Sequence, residues 1–141
     1  MRRLALALAA TTAVVLVLRH RYLSVQVVGT SMTPTLRPGE RIIVRRTTVA
    51  NLRHGQIVVL ANSSPAPDDP PWLVKRLTAL PGDPIPRDTV PALRDVPEQV
   101  VPPNRLVILG DNDSASHDSR TVGYYDATTL LGVAVRQRLT V

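Results

Sequence analysis

The 141-residue chain has no cysteine and no phenylalanine, only one tryptophan and three tyrosines, and a single lysine among its 17 basic residues. Without cysteine there is no disulfide, no thiolate metal site and no cysteine nucleophile, and the cellular compartment cannot be read from redox chemistry. Without phenylalanine the core must be aliphatic, and single-stranded nucleic acid would find almost no aromatic rings to stack on. Acids of one sign are also scarce: 11 Asp and Glu leave a net charge of +6. Such an excess suggests a polyanionic partner, but its position argues against nucleic acid. Arg2, Arg3, Arg19 and Arg21 contribute +4 with no acid among residues 1 to 21, whereas residues 22 to 141 hold 13 bases against 11 acids. The length fits one domain.

Residues 4 to 18, LALALAATTAVVLVL, form an uncharged apolar run between Met1-Arg2-Arg3 and Arg19-His20-Arg21. As a helix this run rises about 22 Å, less than the roughly 30 Å of a bilayer core, so crossing would require local thinning and snorkelling by the flanking arginines. An N-terminal transmembrane anchor over residues 1–21 is the expectation. A cleaved signal peptide would need small residues after the run, where Leu18-Arg19-His20-Arg21-Tyr22 offers none. A buried soluble helix is the third reading. Basic residues on both sides leave the orientation open.

Beyond the anchor the pattern becomes that of short strands. Ser24–Val28, Arg41–Arg46, Gln56–Ala61, Trp72–Leu80, Arg105–Leu109 and Gly132–Leu139 are rich in aliphatic and β-branched residues and separated by Pro, Gly, Asn and Asp. A mostly β domain over residues 22–141 is expected, built from antiparallel strands. Prolines crowd residues 81–104 and exclude a long regular element there. Asn62–Pro71 reads as a surface loop, and helical structure is expected only as a turn near Thr35 and over Asp126–Leu131.

Three segments can carry chemistry. In the strand 72–80, alternation puts Leu73, Lys75 and Leu77 on one face, so the only lysine is flanked by leucines. At its reference pKa near 10.4 only about 0.04% of a lysine is neutral at pH 7; desolvation lowers that pKa and supplies a free amine, whereas arginine stays protonated. Snorkelling to solvent is the ordinary alternative. Ser31, in Gly29-Thr30-Ser31-Met32-Thr33-Pro34-Thr35-Leu36, falls where a strand turns and backbone N–H groups go unpaired, a place suited to a nucleophile and its oxyanion. A plain Ser/Thr-rich turn before Pro34 is equally ordinary. The third segment, Gly110-Asp111-Asn112-Asp113-Ser114-Ala115-Ser116-His117-Asp118-Ser119-Arg120, is dense in oxygen ligands, but Ser116 stands where a calcium loop of the EF-hand type needs glycine. It reads as a self-bonded Asp118–Arg120 turn or as a polar shell that orients a catalytic group. A triad from Ser31 and the adjacent His117-Asp118 pair has poor geometry, since neighbouring side chains diverge.

Together, in this order, the segments resemble the type I signal peptidases, membrane-bound proteases with a serine–lysine dyad. Ser31-Met32-x-Pro34-Thr35-Leu36 is similar to the family's nucleophile motif, Lys75-Arg76 followed by Leu80-Pro81-Gly82-Asp83 to its general-base motif, and Gly110-Asp111-Asn112, Ser116, Asp118-Ser119-Arg120 and Gly123 to its third box. The resemblance implies a compact antiparallel β domain of the signal-peptidase type, with Ser31 as nucleophile and Lys75 as base. It implies Ser116 orienting the amine, Asp118 and Arg120 holding the loop, and Asp111, Asn112, Met32 and Pro34 in support. The expected activity is removal of signal or leader peptides from exported precursors carrying small residues at the first and third positions before the cut. No cofactor or metal is implied, no nucleic acid partner, and the catalytic domain is expected outside the cell membrane.

Three departures stand out. Gly29 replaces a serine that assists the oxyanion in some members, Gln56 replaces an acid in Arg53-His54-Gly55-Gln56, and the large inserted subdomain of longer members is missing. A maturation protease for one or a few precursors, and an inactive membrane-tethered binding module with the same fold, are the alternatives.

Overall fold

The computed structural model describes residues 2–135 except 64, 66 and 68, with side chains described from Ala10 onward. Helix α1 (Arg2–Arg21) contains the whole apolar run. Its last turn carries Arg19, His20 and Arg21, where cations complement the negative end of the helix dipole. Val14 to Leu18 are all exposed. Among the described residues no helix is long and apolar enough to cross a membrane. The expected transmembrane helix is corrected accordingly: the segment is helical, but its uncharged stretch is only 15 residues and arginines close both ends.

Among the described residues beyond α1, the strands form one seven-stranded antiparallel sheet in the order β1-β2-β7-β3-β4-β5-β6. The strands are β1 (Tyr22–Gln26), β2 (Arg41–Arg45), β3 (Ile57–Ala61), β4 (Trp72–Ala79), β5 (Arg105–Leu109), β6 (Tyr125–Asp126) and β7 (Leu130–Val135), with a one-turn helix α2 (Ser119–Val122) before β6. The mostly β expectation is met. Strand β3 reads as an unbroken apolar run because it is covered on both sides. Val59 joins one core with Val25, Met32, Leu36, Ile42, Val44 and Val74, while its neighbours Val58 and Leu60 join a second with Leu77, Leu106, Ile108 and Val133. Burying each such aliphatic side chain is worth about 1.5–3 kcal/mol. A third, smaller core packs Ile85, Val90, Leu93 and Val101 from the proline-rich segment against Ala79 and Val107.

Several boundaries and elements differ from the sequence reading. Strand β1 starts at Tyr22, directly off α1, because its partner β2 continues to Arg45 and pairs Tyr22 with it. The stretch 126–131 is not a helix. A single 3-10 turn, Ala127–Thr129, follows an Asp126 whose carboxylate accepts from Thr128 N–H, and β7 begins at Leu130. Positions 136–139 of the expected last strand lie outside the described residues, as do 64, 66 and 68 of the expected loop. The segment 31–36 is a turn without a regular helix. Strand β7 approaches β2 so closely at Gly132 that a Cβ there would lie 2.3 Å from the Arg45 carbonyl oxygen; only glycine fits.

Candidate active site

Lys75 lies in the middle of β4, opposite Val58 of β3. Leu73 and Leu77 share its face, as strand alternation requires, and the side chain that ordinarily snorkels is only 5% exposed. Its amine donates to Ser116 Oγ at 3.1 Å. Burial lowers the Lys75 pKa below its ordinary value of 10.5, opposed by the negative charge of Asp118 and reinforced by the positive charge of Arg120.

Ser116 passes the contact on. Its hydroxyl donates to Asp118 Oδ2 at 2.6 Å. Asp118 is fully buried and also accepts from Gly110 N–H at 2.7 Å, Arg120 N–H at 3.0 Å and the Arg120 guanidinium at 2.8 Å. Burial alone would raise this carboxyl, but the donors from Gly110, Ser116 and Arg120 together hold it below the ordinary carboxylate value. Asp118 and Arg120 are therefore paired, and the Ser116 hydroxyl bonds to the same carboxylate. His117 is exposed and its neighbour Asp118 is committed elsewhere; among the described residues no hydrogen bond links His117 to Ser31 or Asp118.

Ser31 reaches this site through the backbone. After β1 the chain turns, Met32 plunges to 1% exposure in the first core, and Leu36 N–H bonds to the Met32 carbonyl at 2.9 Å. The Ser31 carbonyl accepts from Asn112 N–H at 2.9 Å, and the Asn112 amide donates to the Thr30 carbonyl at 3.2 Å and Thr33 Oγ1 at 3.1 Å. The serine turn is thus bound to the loop that carries Ser116. Pro34, exposed, follows Thr33 through a cis peptide bond. Among the described residues no hydrogen bond joins Ser31 Oγ to the Lys75 amine, and no backbone carbonyl accepts from Ser31 N–H.

Two participants go beyond the site residues read from sequence. Gly110 is the tightest point: a Cβ on it would lie 2.1 Å from Ser116 Oγ and 2.7 Å from the Ser31 carbonyl oxygen. Arg76, on the opposite face of β4 from Lys75, grips Asp111 with two bonds of 2.8 and 2.6 Å and donates to the Gly55 carbonyl at 2.7 Å. The signal available was its place beside Lys75 within a strand, which forces it to the other face. Gln56, where an acid was expected, accepts from Arg53 N–H at 2.9 Å and caps that turn as a carboxylate would. Asp83, exposed to solvent on one side, accepts from Leu80 N–H and from His54.

An all-antiparallel sheet thus brings a serine turn, a buried lysine and a Ser/Asp-rich loop together. The chain belongs to the signal peptidase family, peptidase S26, whose sequence profile matches residues 1–93 and 86–137. It is similar to the "Inactive signal peptidase IA" of Staphylococcus aureus strains Mu50 and N315, 28% identical over 127 residues covering 72% of this chain and 70% of the relative. It is also similar to the "Signal peptidase IB" of Staphylococcus aureus strain COL, 30% identical over 141 residues covering 74% of this chain and 71% of the relative.

Proposed function

We propose that this chain is a membrane-attached serine endopeptidase that cleaves signal or leader peptides from exported precursors, with Ser31 as nucleophile and Lys75 as general base. The observation that carries the reading is the Lys75 amine, buried, lowered in pKa and held by Ser116 at 3.1 Å next to the loop that binds the serine turn. A neutral amine takes the Ser31 hydroxyl proton as Oγ attacks the scissile carbonyl, and passes it to the departing amine. The acyl-enzyme is then hydrolysed by a water that the same amine deprotonates. Ser31 N–H supplies one donor to the oxyanion.

Ser116 contributes more than position. Because its own proton is donated to Asp118, it offers the lysine only an acceptor. One amine N–H is thereby directed at Ser116 and the nitrogen lone pair is left for Ser31. Attachment of the chain to a bilayer through residues 1–21 is supported by the uncharged run, its arginine borders and the exposed Val14–Leu18. Catalysis on the outer side of the cell membrane, by the β domain of residues 22–141, completes the reading.

The test is incubation of the full chain with secretory precursors bearing small residues at the first and third positions before the cut, with the product termini sequenced. Cleavage lost in both Ser31→Ala and Lys75→Ala is expected; a fully active Lys75→Ala variant would sink the dyad.

The second reading, an inactive binding module, is favoured by the missing Ser31–Lys75 hydrogen bond and by relatives named inactive. Failure of folded protein to be acylated on Ser31 by a serine-directed inhibitor would establish it. A third distinction, between general and dedicated processing, rests on deleting the gene and counting unprocessed exported proteins.

A further inference from the structure

Counted along the fold, the positive charge is concentrated in one place. Residues 19–53 hold seven arginines against one acid, Glu40, whereas residues 54–141 hold 8 bases against 10 acids. Glu40 is occupied locally, accepting from Arg37 N–H at 3.0 Å. The ion pairs of the described residues all lie between His54 and Arg120. Arg19, Arg21, Arg41, Arg45 and Arg46 have none, and all five are exposed.

Strand alternation turns that composition into a surface. On β2, Ile42 and Val44 bury into the first core while Arg41 and Arg45 point to the other face with Ile43 between them. Their cross-strand partners on β1 are Gln26, Ser24 and Tyr22, so this face of the strand pair contains no acid. Arg46 N–H donates to the Arg21 carbonyl at 2.9 Å, which fixes the β2 end against the last turn of α1. A basic face therefore runs directly into a helix whose Val14–Leu18 are exposed and apolar.

We propose that the outward face of β1 and β2, with the last turn of α1, docks on the anionic phospholipid headgroups of the bilayer that receives α1, the guanidinium groups of Arg41 and Arg45 bonding to phosphate oxygens. The observations favour this occupant over nucleic acid because the basic face is continuous with an apolar helix and carries Tyr22, an aromatic residue suited to a membrane interface. The proposal rests on the membrane placement of α1 given above and is independent of peptidase activity. The two fail separately, because binding to neutral vesicles reports on the helix and the increment on anionic vesicles reports on this face.

The experiment compares the full wild-type chain, R41Q/R45Q and R41K/R45K by co-sedimentation with phosphatidylcholine vesicles and with vesicles that also contain phosphatidylglycerol. Each basic residue at such a surface is worth about a fivefold gain in partitioning, so the glutamine variant should lose about twenty-five-fold on the anionic vesicles. The lysine variant should retain binding, added salt should weaken it, and all three proteins should partition equally on phosphatidylcholine alone. Circular dichroism shows that each variant is folded. Equal partitioning of wild type and the folded glutamine variant on anionic vesicles would overturn the proposal, as would release of the wild-type chain from those vesicles by duplex RNA at equal phosphate.

Discussion

Lys75 and Asp118 communicate through a single hydroxyl: Ser116 Oγ accepts from the Lys75 amine at 3.1 Å and donates to Asp118 Oδ2 at 2.6 Å, and no ion pair joins the lysine and the aspartate directly. A direct pair would keep the amine protonated. The interposed serine lets the carboxylate orient the lysine while limiting how far it raises the lysine's pKa.

Replacing Ser116 with alanine should therefore lower kcat by about a hundredfold, the scale of a general-base contribution, and leave KM unchanged. The amine loses its direction while the substrate surface is untouched. Steady-state kinetics on a peptide substrate check this, and a loss confined to KM would contradict it.

The pH dependence has a definite sign. Burial lowers the Lys75 pKa, so activity should rise with pH through a basic limb lying below 10.5. Between the lowered folded value and 10.5 the unfolded chain binds more protons, so the lysine makes stability climb with pH across that window. Lys75→Met removes this contribution, and the stability difference between wild type and variant should shrink as pH rises through the window in denaturant titrations.

Asp118 also makes stability rise with pH, but in the acid range. Its lowered pKa contributes stability that is present above the unfolded value of 3.8 and lost as pH falls through the folded one. Asp118→Asn leaves Arg120 without its buried partner and should cost about 3 kcal/mol at neutral pH, with the gap to wild type closing in acid. Thermal unfolding at neutral and acidic pH measures both.

Gly110→Ala tests the tightest contact. The added methyl meets a side chain that can move, Ser116 Oγ, and a backbone oxygen that cannot move cheaply, that of Ser31. About 1–3 kcal/mol of stability should be lost, with a fall in kcat of roughly a hundredfold as the serine turn and Ser116 separate. Wild-type kinetics in this variant would show that the spacing is not needed.

Much of this was legible in the chain itself. The six main β segments were marked by aliphatic and β-branched runs between Pro, Gly, Asn and Asp. The alternation of Leu73, Lys75 and Leu77 put the lysine on an apolar face, and the fold decided burial over snorkelling. Strand β6 was not legible, because two residues, Tyr125 and Asp126, have no periodicity and are held only by pairing with Leu106 and Arg105. Helix α2 escaped for a similar reason: it is a single turn whose cap, Asp118, had an evident partner in Arg120 but no visible reason to start a helix. The contact between Ser31 and Asn112 spans 81 positions and exists only once the sheet has closed. The role of Arg76 depended on the same closure. Its bonds to Asp111 join loops that are far apart in sequence, and side-chain periodicity says nothing about such partners.

The two faces of the sheet have a consequence for how this protein fails. Ser31 is anchored through Met32 to the core that contains Val44 and Val59, whereas Lys75 stands on the face of Val58 and Leu77. The halves of the site thus belong to different packing layers, joined across the loops by Asn112, Gly110 and Ser116. A partial opening that frees only the β1 turn would separate serine from lysine while most of the sheet stayed folded. Heat or denaturant should then silence the protein before it unravels, and hydrogen exchange in the turn after β1 would register the loss first.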